Sequence, residues 1–364
     1  MINDVFIDSK PSILHIIDTL NMGGAERVVT TLVNLFVTKN HKVGILIILA
    51  GENPLITEIN NGVNIYLLNR YNKYNPFKCN ELISITNNYD IIHVHMRHNL
   101  RYLKYASYFS FIKIKKIFFH DHYGNIKNDI SIDFITKYIM RNSIYIGVSK
   151  ELYEWSLKYC SAKESYLLSN IILKEKIAVK TKHINKDKRL LLVSNIHPRK
   201  NIEFAIEIMK ELVATGEYYL DIIGRVADSE YFDQLTKLIS SNSLEDHVTF
   251  NSHCNNIQPV LYCYDLALHP SKSETGPLVL IEYLAQSLPF LTFNTGEVVH
   301  QIRNELSMLI VDNFEIKKWL DKIKILLNND RNLIKDKMKK IYLNNYSSHT
   351  YYSKCLNIYQ ENLI

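Results

Sequence analysis

The stretch Asp265–Val298, DLALHPSKSETGPLVLIEYLAQSLPFLTFNTGEV, sets the narrowest limits on the fold. It opens on a short apolar strand, Leu266-Ala267-Leu268, and runs through a polar loop from Ser271 to Gly276. Helical spacing then begins at Pro277, with Leu278, Ile281, Tyr283, Leu284 and Ala285 apolar. Proline suits a first helical position, where its missing N–H is not needed. A second strand, Phe290–Phe293, follows Pro289. Strand, loop, helix and strand in that order form a βαβ unit, from which parallel sheets are built. Ligands of such sheets sit beyond the carboxyl ends of the strands, where loops meet helix N-termini.

Two carboxylates mark the loop and its helix, Glu274 just before the helix and Glu282 in its second turn. Thr275, Gly276 and the first helical residues, Pro277 and Leu278, bring backbone to the positive end of the helix, which favours phosphate. Gly276 lets a ligand approach closely. A carboxylate repels phosphate but accepts hydrogen bonds from hydroxyls. The implied ligand has an anionic middle and hydroxyl-rich ends, as a nucleotide sugar does. The competing reading makes both glutamates solvated helix-start residues.

Pro270-Ser271, Glu274, Glu282, Pro289 and Gly296, in that order and spacing, resemble the signature of retaining glycosyltransferases of family 4, which have the GT-B fold. The resemblance implies that Glu274 touches the donor sugar and Glu282 the ribose. Ser287 departs from it, standing where the family usually has Gly. Near the chain start, a first buried strand, Ser12–Asp18, leads to Gly23-Gly24-Ala25-Glu26-Arg27 and a helix through Val28, Val29, Leu32, Val33 and Phe36. Two glycines at a turn are a weak signal alone. In the family the second approaches the donor diphosphate, so Gly23 and Gly24 join the donor-binding candidates. After the strand Arg189–Ser194 comes Asn195-Ile196-His197-Pro198-Arg199-Lys200. The family carries Arg and then Lys here, both on the diphosphate. Lys200 matches the Lys, whereas Asn195 stands where the Arg is usual. Arg199 or Arg225 could replace that charge. Surface charge near a helix start is the plainer reading of Arg199 and Lys200.

A chain of 364 residues suggests two domains. Further apolar strands are expected at 43–50, 64–68, 91–95, 116–120 and 144–148, then at 219–224, 248–250 and 308–311. Residues 1–173 form the expected N-terminal acceptor domain, 174–188 a Lys-rich linker, and 189–344 the donor domain. The resemblance returns a last helix, about 345–364, onto the first domain. Residues 1–173 hold 19 Lys and Arg against 14 Asp and Glu, so most of the net charge of +6 lies there. The five cysteines are scattered without a Cys-x-x-Cys, which favours a reducing compartment and argues against a zinc site. No run of eighteen uncharged apolar residues marks a membrane span, and the first residues lack the apolar core of a signal peptide.

Histidines gather at strand ends: His93, His95 and His98, then His120 and His122. His-x-His spacing permits a zinc reading, but no carboxylate completes a set, and hydrogen-bonded structural histidines are the preferred reading for His93 and His95. The family places a histidine near the reacting sugar carbon at the strand end occupied by His120. Between Arg97 and His120 there is no acid. Arg97, Arg101, Lys104, Lys113, Lys115 and Lys116 interleave with Tyr102, Tyr105, Tyr108, Phe109 and Phe111. Such a segment can lie in an anionic membrane surface or be a helix with a solvated basic face. Nucleic acid lacks a supporting fold motif.

The expected fold is α/β, GT-B, with two doubly wound (Rossmann-like) domains facing across a cleft. The expected activity is transfer of a hexosyl-type sugar, with retention, from a nucleotide-diphosphate sugar to a glycan or lipid-linked acceptor in bacterial surface polysaccharide assembly, whether capsule, O-antigen or exopolysaccharide. The catalytic candidates are His120 and Glu274. No Asp-x-Asp is present to bridge a metal and a diphosphate, so neither metal nor cofactor is expected. The expected location is cytoplasmic, with a peripheral hold on the inner membrane face left open. A nucleotide-sugar epimerase and a non-catalytic nucleotide-sugar-binding partner of a membrane assembly are the alternatives.

Overall fold

The computed structural model describes residues 10–71, 75–111, 116–160, 162, 164–177, 187–252, 254, 256–328 and 330–363. Lys113, Lys115 and most of the expected linker lie outside them. The chain divides into two compact units, Met1–Ile171 with Ser348–Ile364, and Ile172–Ser347. The first division comes before residue 173 because the Ile172 side chain belongs to the second unit's core.

The first unit contains β1 (Ile13–Ile17), α1 (Gly24–Thr38), β2 (Val43–Leu49), β3 (Val63–Arg70), α2 (Pro76–Thr86), β4 (Ile91–His95), α3 (Arg97–Phe109), β5 (Ile117–Asp121), α4 (Phe134–Arg141), β6 (Ile144–Gly147), α5 (Lys150–Trp155) and β7 (Ser165–Leu167). Its parallel sheet has the order β3-β2-β1-β4-β5-β6-β7. Every residue of β1, β4 and β5 is buried, as befits parallel strands covered on both faces. On α1, Val28, Val29, Leu32, Val33 and Phe36 repeat at helical spacing and are buried. The short, half-exposed β7 was not among the expected strands.

The second unit contains β8 (Lys188–Val193), α6 (Ile202–Val213), β9 (Tyr218–Ile223), α7 (Ser229–Ser241), β10 (Val248–Asn251), β11 (Leu266–His269), α8 (Leu278–Gln286), β12 (Phe290–Phe293), α9 (Glu297–Ile302), β13 (Ile310–Val311), α10 (Ile316–Asn328) and α11 (Asn332–Asn345). Its parallel sheet has the order β10-β9-β8-β11-β12-β13. The expected strand at 308–311 shortens to Ile310–Val311 because Ser307–Leu309 is a 3-10 turn. Pro277 is not the first residue of α8 but its cap, with an extended ψ of 114°. The last helix, α12 (Ser348–Leu363), belongs to the first unit. It sets Tyr359 against Phe118 and Phe36, with ring centroids 4.9 and 5.7 Å away.

Candidate functional site

Strand order reverses between β8 and β11 of the second unit. From there the chain winds outward through β9 and β10 on one side, and through β12 and β13 on the other. A crevice opens at such a point beyond the carboxyl ends of the strands. Two loops enter it, one following β8 and one following β11. The backbone joins them, since Lys272 N–H donates to the Arg199 carbonyl at 2.9 Å. Side chains join them more strongly, with Lys200 Nζ 2.5 Å from Glu274 Oε1.

Glu274 is largely buried and His269 almost wholly so, with His269 Nε2 3.5 Å from the same carboxylate oxygen. Burial alone would raise the Glu274 carboxyl. The Lys200 charge and the His269 ring outweigh it and hold the carboxyl well below the usual range. Glu274 is therefore ionised at neutral pH and can only accept hydrogen bonds. Its backbone N–H donates to Thr295 Oγ1 at 3.1 Å. Glu297 N–H donates to the Thr275 carbonyl at 2.7 Å, which ties the start of α9 to the same loop. Gly296 has φ +84°, and a Cβ there would stand 3.1 Å from Pro277 Cδ and 3.2 Å from Glu274 Cβ. Only glycine suits both the conformation and the space.

Behind this loop α8 starts without a side-chain cap. Thr275, Gly276, Pro277 and Leu278 thus surround a helix N-terminus suited to an anion. Glu282 is half-buried on α8, close enough to Tyr283 to help push that phenol up. Asn195, Arg199 and Arg225 are exposed on the loops after β8 and β9. His269 was missed by sequence reasoning, although it ends β11 immediately before Pro270-Ser271 and could have been found there.

In the first unit the matching reversal lies between β1 and β4. Gly23, in extended backbone, precedes α1, and Gly24 begins it, just beyond β1. His120, on β5, is wholly buried; its ring makes no hydrogen bond of good geometry among the described residues, and the Leu168 backbone is near enough to interact with it. His93 and His95 are both hydrogen-bonded. His98 stands apart from them, 3.2 Å from Asp18.

One residue of the expected basic surface does not lie on it, while Arg101 and Lys116 are exposed. Arg97 turns inward, its Nη2 2.7 Å from the buried Asp121 carboxylate and its guanidinium between Tyr123 and Trp155. Burial favours pairing an arginine over leaving it unpaired. Lys116 donates to the Asn362 carbonyl on α12, and Arg101 pairs with Asp133 at 3.3 Å. Beside the exposed Arg101, Lys137 and Arg141, α3 and α4 expose large aromatic and apolar side chains: Tyr108, Phe109, Phe134, Ile135 and Tyr138, with Phe111 just beyond α3. Beside them lies a cavity of about 720 Å³ whose lining includes Arg70, Arg101, Tyr102, Tyr105, Tyr108 and Ile135. No helix among the described residues is long and apolar enough to cross a membrane.

Comparison with known proteins agrees with this geometry. A glycosyltransferase of Rickettsia africae superposes with a TM-score of 0.80 at 18% identity, over 97% of this chain and 98% of that one. The Anabaena protein HepE, solved with UDP and glucose, superposes with a TM-score of 0.77 at 13% identity, over 97% and 100%. These likenesses show the fold: two parallel-sheet, Rossmann-like α/β domains of the GT-B kind. An uncharacterized glycosyltransferase of Haemophilus influenzae is 24% identical over 146 residues, which span 40% of this chain and 40% of that relative. The family model of group 1 glycosyl transferases matches residues 174–346, almost the whole of the second unit. Both loops of the Lys200–Glu274 site fall inside that match, so the segment that bears the site is the one similar to group 1 glycosyl transferases.

Proposed function

We propose that this protein is a retaining glycosyltransferase that takes a sugar from a nucleotide-diphosphate donor and needs no metal for the transfer. The observation that carries the reading is the Lys200–Glu274 pair beside the start of α8, which has no side-chain cap. A departing nucleoside diphosphate develops negative charge, and Lys200 with the N–H groups at the start of α8 would meet it as preorganised donors. Gly23, Gly24 and an exposed cation, Arg199 or Arg225, would add to the diphosphate contacts. Glu274, ionised and fixed by its neighbours, would accept hydrogen bonds from sugar hydroxyls and hold the reacting carbon in place. Glu282 would hold the ribose, and His120 would stand on the sugar from the first unit.

The acceptor belongs, in this reading, to the aromatic cavity of the first unit. Its mixed aromatic and basic lining suits a glycan carried on an anionic lipid. Assembly of a bacterial surface polysaccharide follows as the setting, with the protein held to the membrane face by its exposed aromatic residues. A UDP-sugar is the first donor to try, because the structurally similar HepE was solved with UDP and glucose.

The experiment is a thermal-shift screen of nucleotide sugars, followed by product analysis with the donor that stabilises most. A ligand at 100 times its Kd that binds only the native state adds about 2.7 kcal/mol. The expected result is stabilisation by one nucleotide-sugar class, and transfer to an acceptor with retained anomeric configuration. Donor turnover giving only an epimerised sugar would replace transfer by epimerisation, and absence of any nucleotide-sugar effect would remove the reading.

A further inference from the structure

Five imidazoles lie together in the first unit, and the proposed transfer chemistry uses only one. They come together through sheet register. His15 on β1 pairs with His93 on β4, and His95 pairs with His120 on β5. His93 and His95 are two residues apart on β4, so strand alternation keeps them on one face, and His122 follows just beyond the end of β5, its ring beside that of His120. The rings form a ladder: His93 lies 4.5 Å from His95, His95 5.4 Å from His120, and His120 4.5 Å from His122, centroid to centroid.

We propose that His95, His120 and His122 form a binding site for one divalent transition-metal ion of the zinc type, with His15 orienting His95. One nitrogen from each of the three lies within 4.8 Å of the others. Zinc binds imidazole nitrogen at about 2.0–2.1 Å, which puts two ligands of a tetrahedral ion roughly 3.3 Å apart. His95 Nδ1 and His122 Nε2 already stand 3.1 Å apart. His120 is wholly buried, and its ring makes no hydrogen bond of good geometry among the described residues, with only the Leu168 backbone near enough to interact. A poorly satisfied buried polar atom is costly, and a metal on one ring nitrogen would leave the other for the Leu168 backbone.

The outer contact is also present. With Nδ1 on the metal, His95 would carry its proton on Nε2 and donate it to His15 Nδ1, 3.1 Å away. Metal-bound histidines characteristically donate their other N–H in this way. Burial holds His95 and His120 in the neutral, ligating form. Three neutral imidazoles select zinc, cobalt, nickel or copper over magnesium and calcium, which prefer oxygen.

A second trio, His15, His93 and His95, meets the same distance limit. It is wholly buried, and the Tyr359 hydroxyl lies 2.5 Å from His93 Nδ1. His122 is only half-buried and gives its own trio a way in from solvent. The site does not rest on the sugar contact proposed for His120, because its test measures metal and not transfer.

The test uses the full chain without an affinity tag, stripped by chelator and titrated with Co²⁺. One equivalent should bring up the visible d–d bands of four-coordinate cobalt. Zn²⁺ should erase them and raise the melting temperature, and Mg²⁺ should do neither. His122→Gln and His120→Gln should lose the bands, His93→Gln should keep them, and His15→Gln should weaken binding by roughly 10–100-fold. Metal-free melting curves establish that each variant is folded. X-ray absorption on the cobalt-loaded wild type should find three imidazole nitrogens and holds whether or not a variant folds. No bands from the wild type, or bands lost in His93→Gln and kept in His122→Gln, would overturn the site and leave a hydrogen-bonded core or the other trio.

Discussion

Lys200 and Glu274 hold each other in place with charges that a donor would also use. Diphosphate entering the site would share Lys200 with the carboxylate. Glu274→Gln should therefore leave nucleoside-diphosphate affinity unchanged or tighter, since it frees the lysine, while lowering kcat by roughly 100-fold through lost sugar positioning. Glu282→Ala should instead raise the donor KM and weaken nucleoside diphosphate, because a ribose contact binds ground and transition states alike. Steady-state kinetics with calorimetric titration separates the two, and wild-type turnover in the Glu274 variant would withdraw its sugar role. The pair also predicts a pH dependence. Because the folded Glu274 carboxyl is held below its unfolded value, its stabilisation is fully present above about pH 4.3 and lost as pH falls further. With Lys200 a quarter exposed, the pair should contribute about 1–3 kcal/mol near neutrality. Urea unfolding of wild type and Glu274→Gln should show a stability gap that closes in acid, and a gap independent of pH would refute the coupling. Each residue was legible from its own loop pattern. Their contact across 74 residues was not, because spacing says nothing about which strands are neighbours. His15 went unnoticed as a partner of the other histidines for the same reason: inside an apolar strand it reads as core until register sets it beside His93.

At the level of elements, long buried strands were the most legible, because a run such as Ile13–Ile17 has only one environment on both faces. Short edge strands were not. Ser165–Leu167 is half-exposed and carries no apolar run. Arg97 opens α3, but its inward turn depends on Asp121, on a different strand. The loops that bear the site rely on close backbone packing. A Cβ on Gly224, just after β9, would fall 1.8 Å from the Ser194 carbonyl oxygen, just after β8. Gly224→Ala should cost at least about 2 kcal/mol, since backbone cannot swing aside as a flexible side chain would. Denaturant unfolding checks this, and a neutral outcome would mean that the two loops are free to part. The exposed face of α3 and α4 predicts salt-sensitive binding to anionic vesicles. Arg101 and Lys104 replaced by Gln should weaken it by about 2 kcal/mol if both touch lipid. Replacing Tyr108 and Phe134 by Ser should weaken it in a salt-independent way. Equal sedimentation of wild type and both variants would assign that face to solvent.

For the whole molecule, the donor chemistry proposed for the second unit predicts full transfer activity in excess EDTA. Activity abolished by EDTA and restored by Mg²⁺ or Mn²⁺ would show that a metal is needed after all. The alternation of strand and helix was legible along most of the chain, and the group 1 match covers the half that bears the signature carboxylates. The division into units depends on a different feature, α12. Its Tyr351, Cys355, Ile358 and Tyr359 are buried in the first unit, yet the 176 residues from Ile172 to Ser347 separate them in sequence from the rest of that unit. At about 5–20 residues per second, a ribosome needs roughly 9–35 s to cross that interval. Throughout it the nascent first unit has its sheet but not the helix that covers Phe36, Phe118 and His93. The first unit's sheet is thus made well before the helix that closes it, and the aromatic face around Phe36 and Phe118 stays uncovered in the meantime.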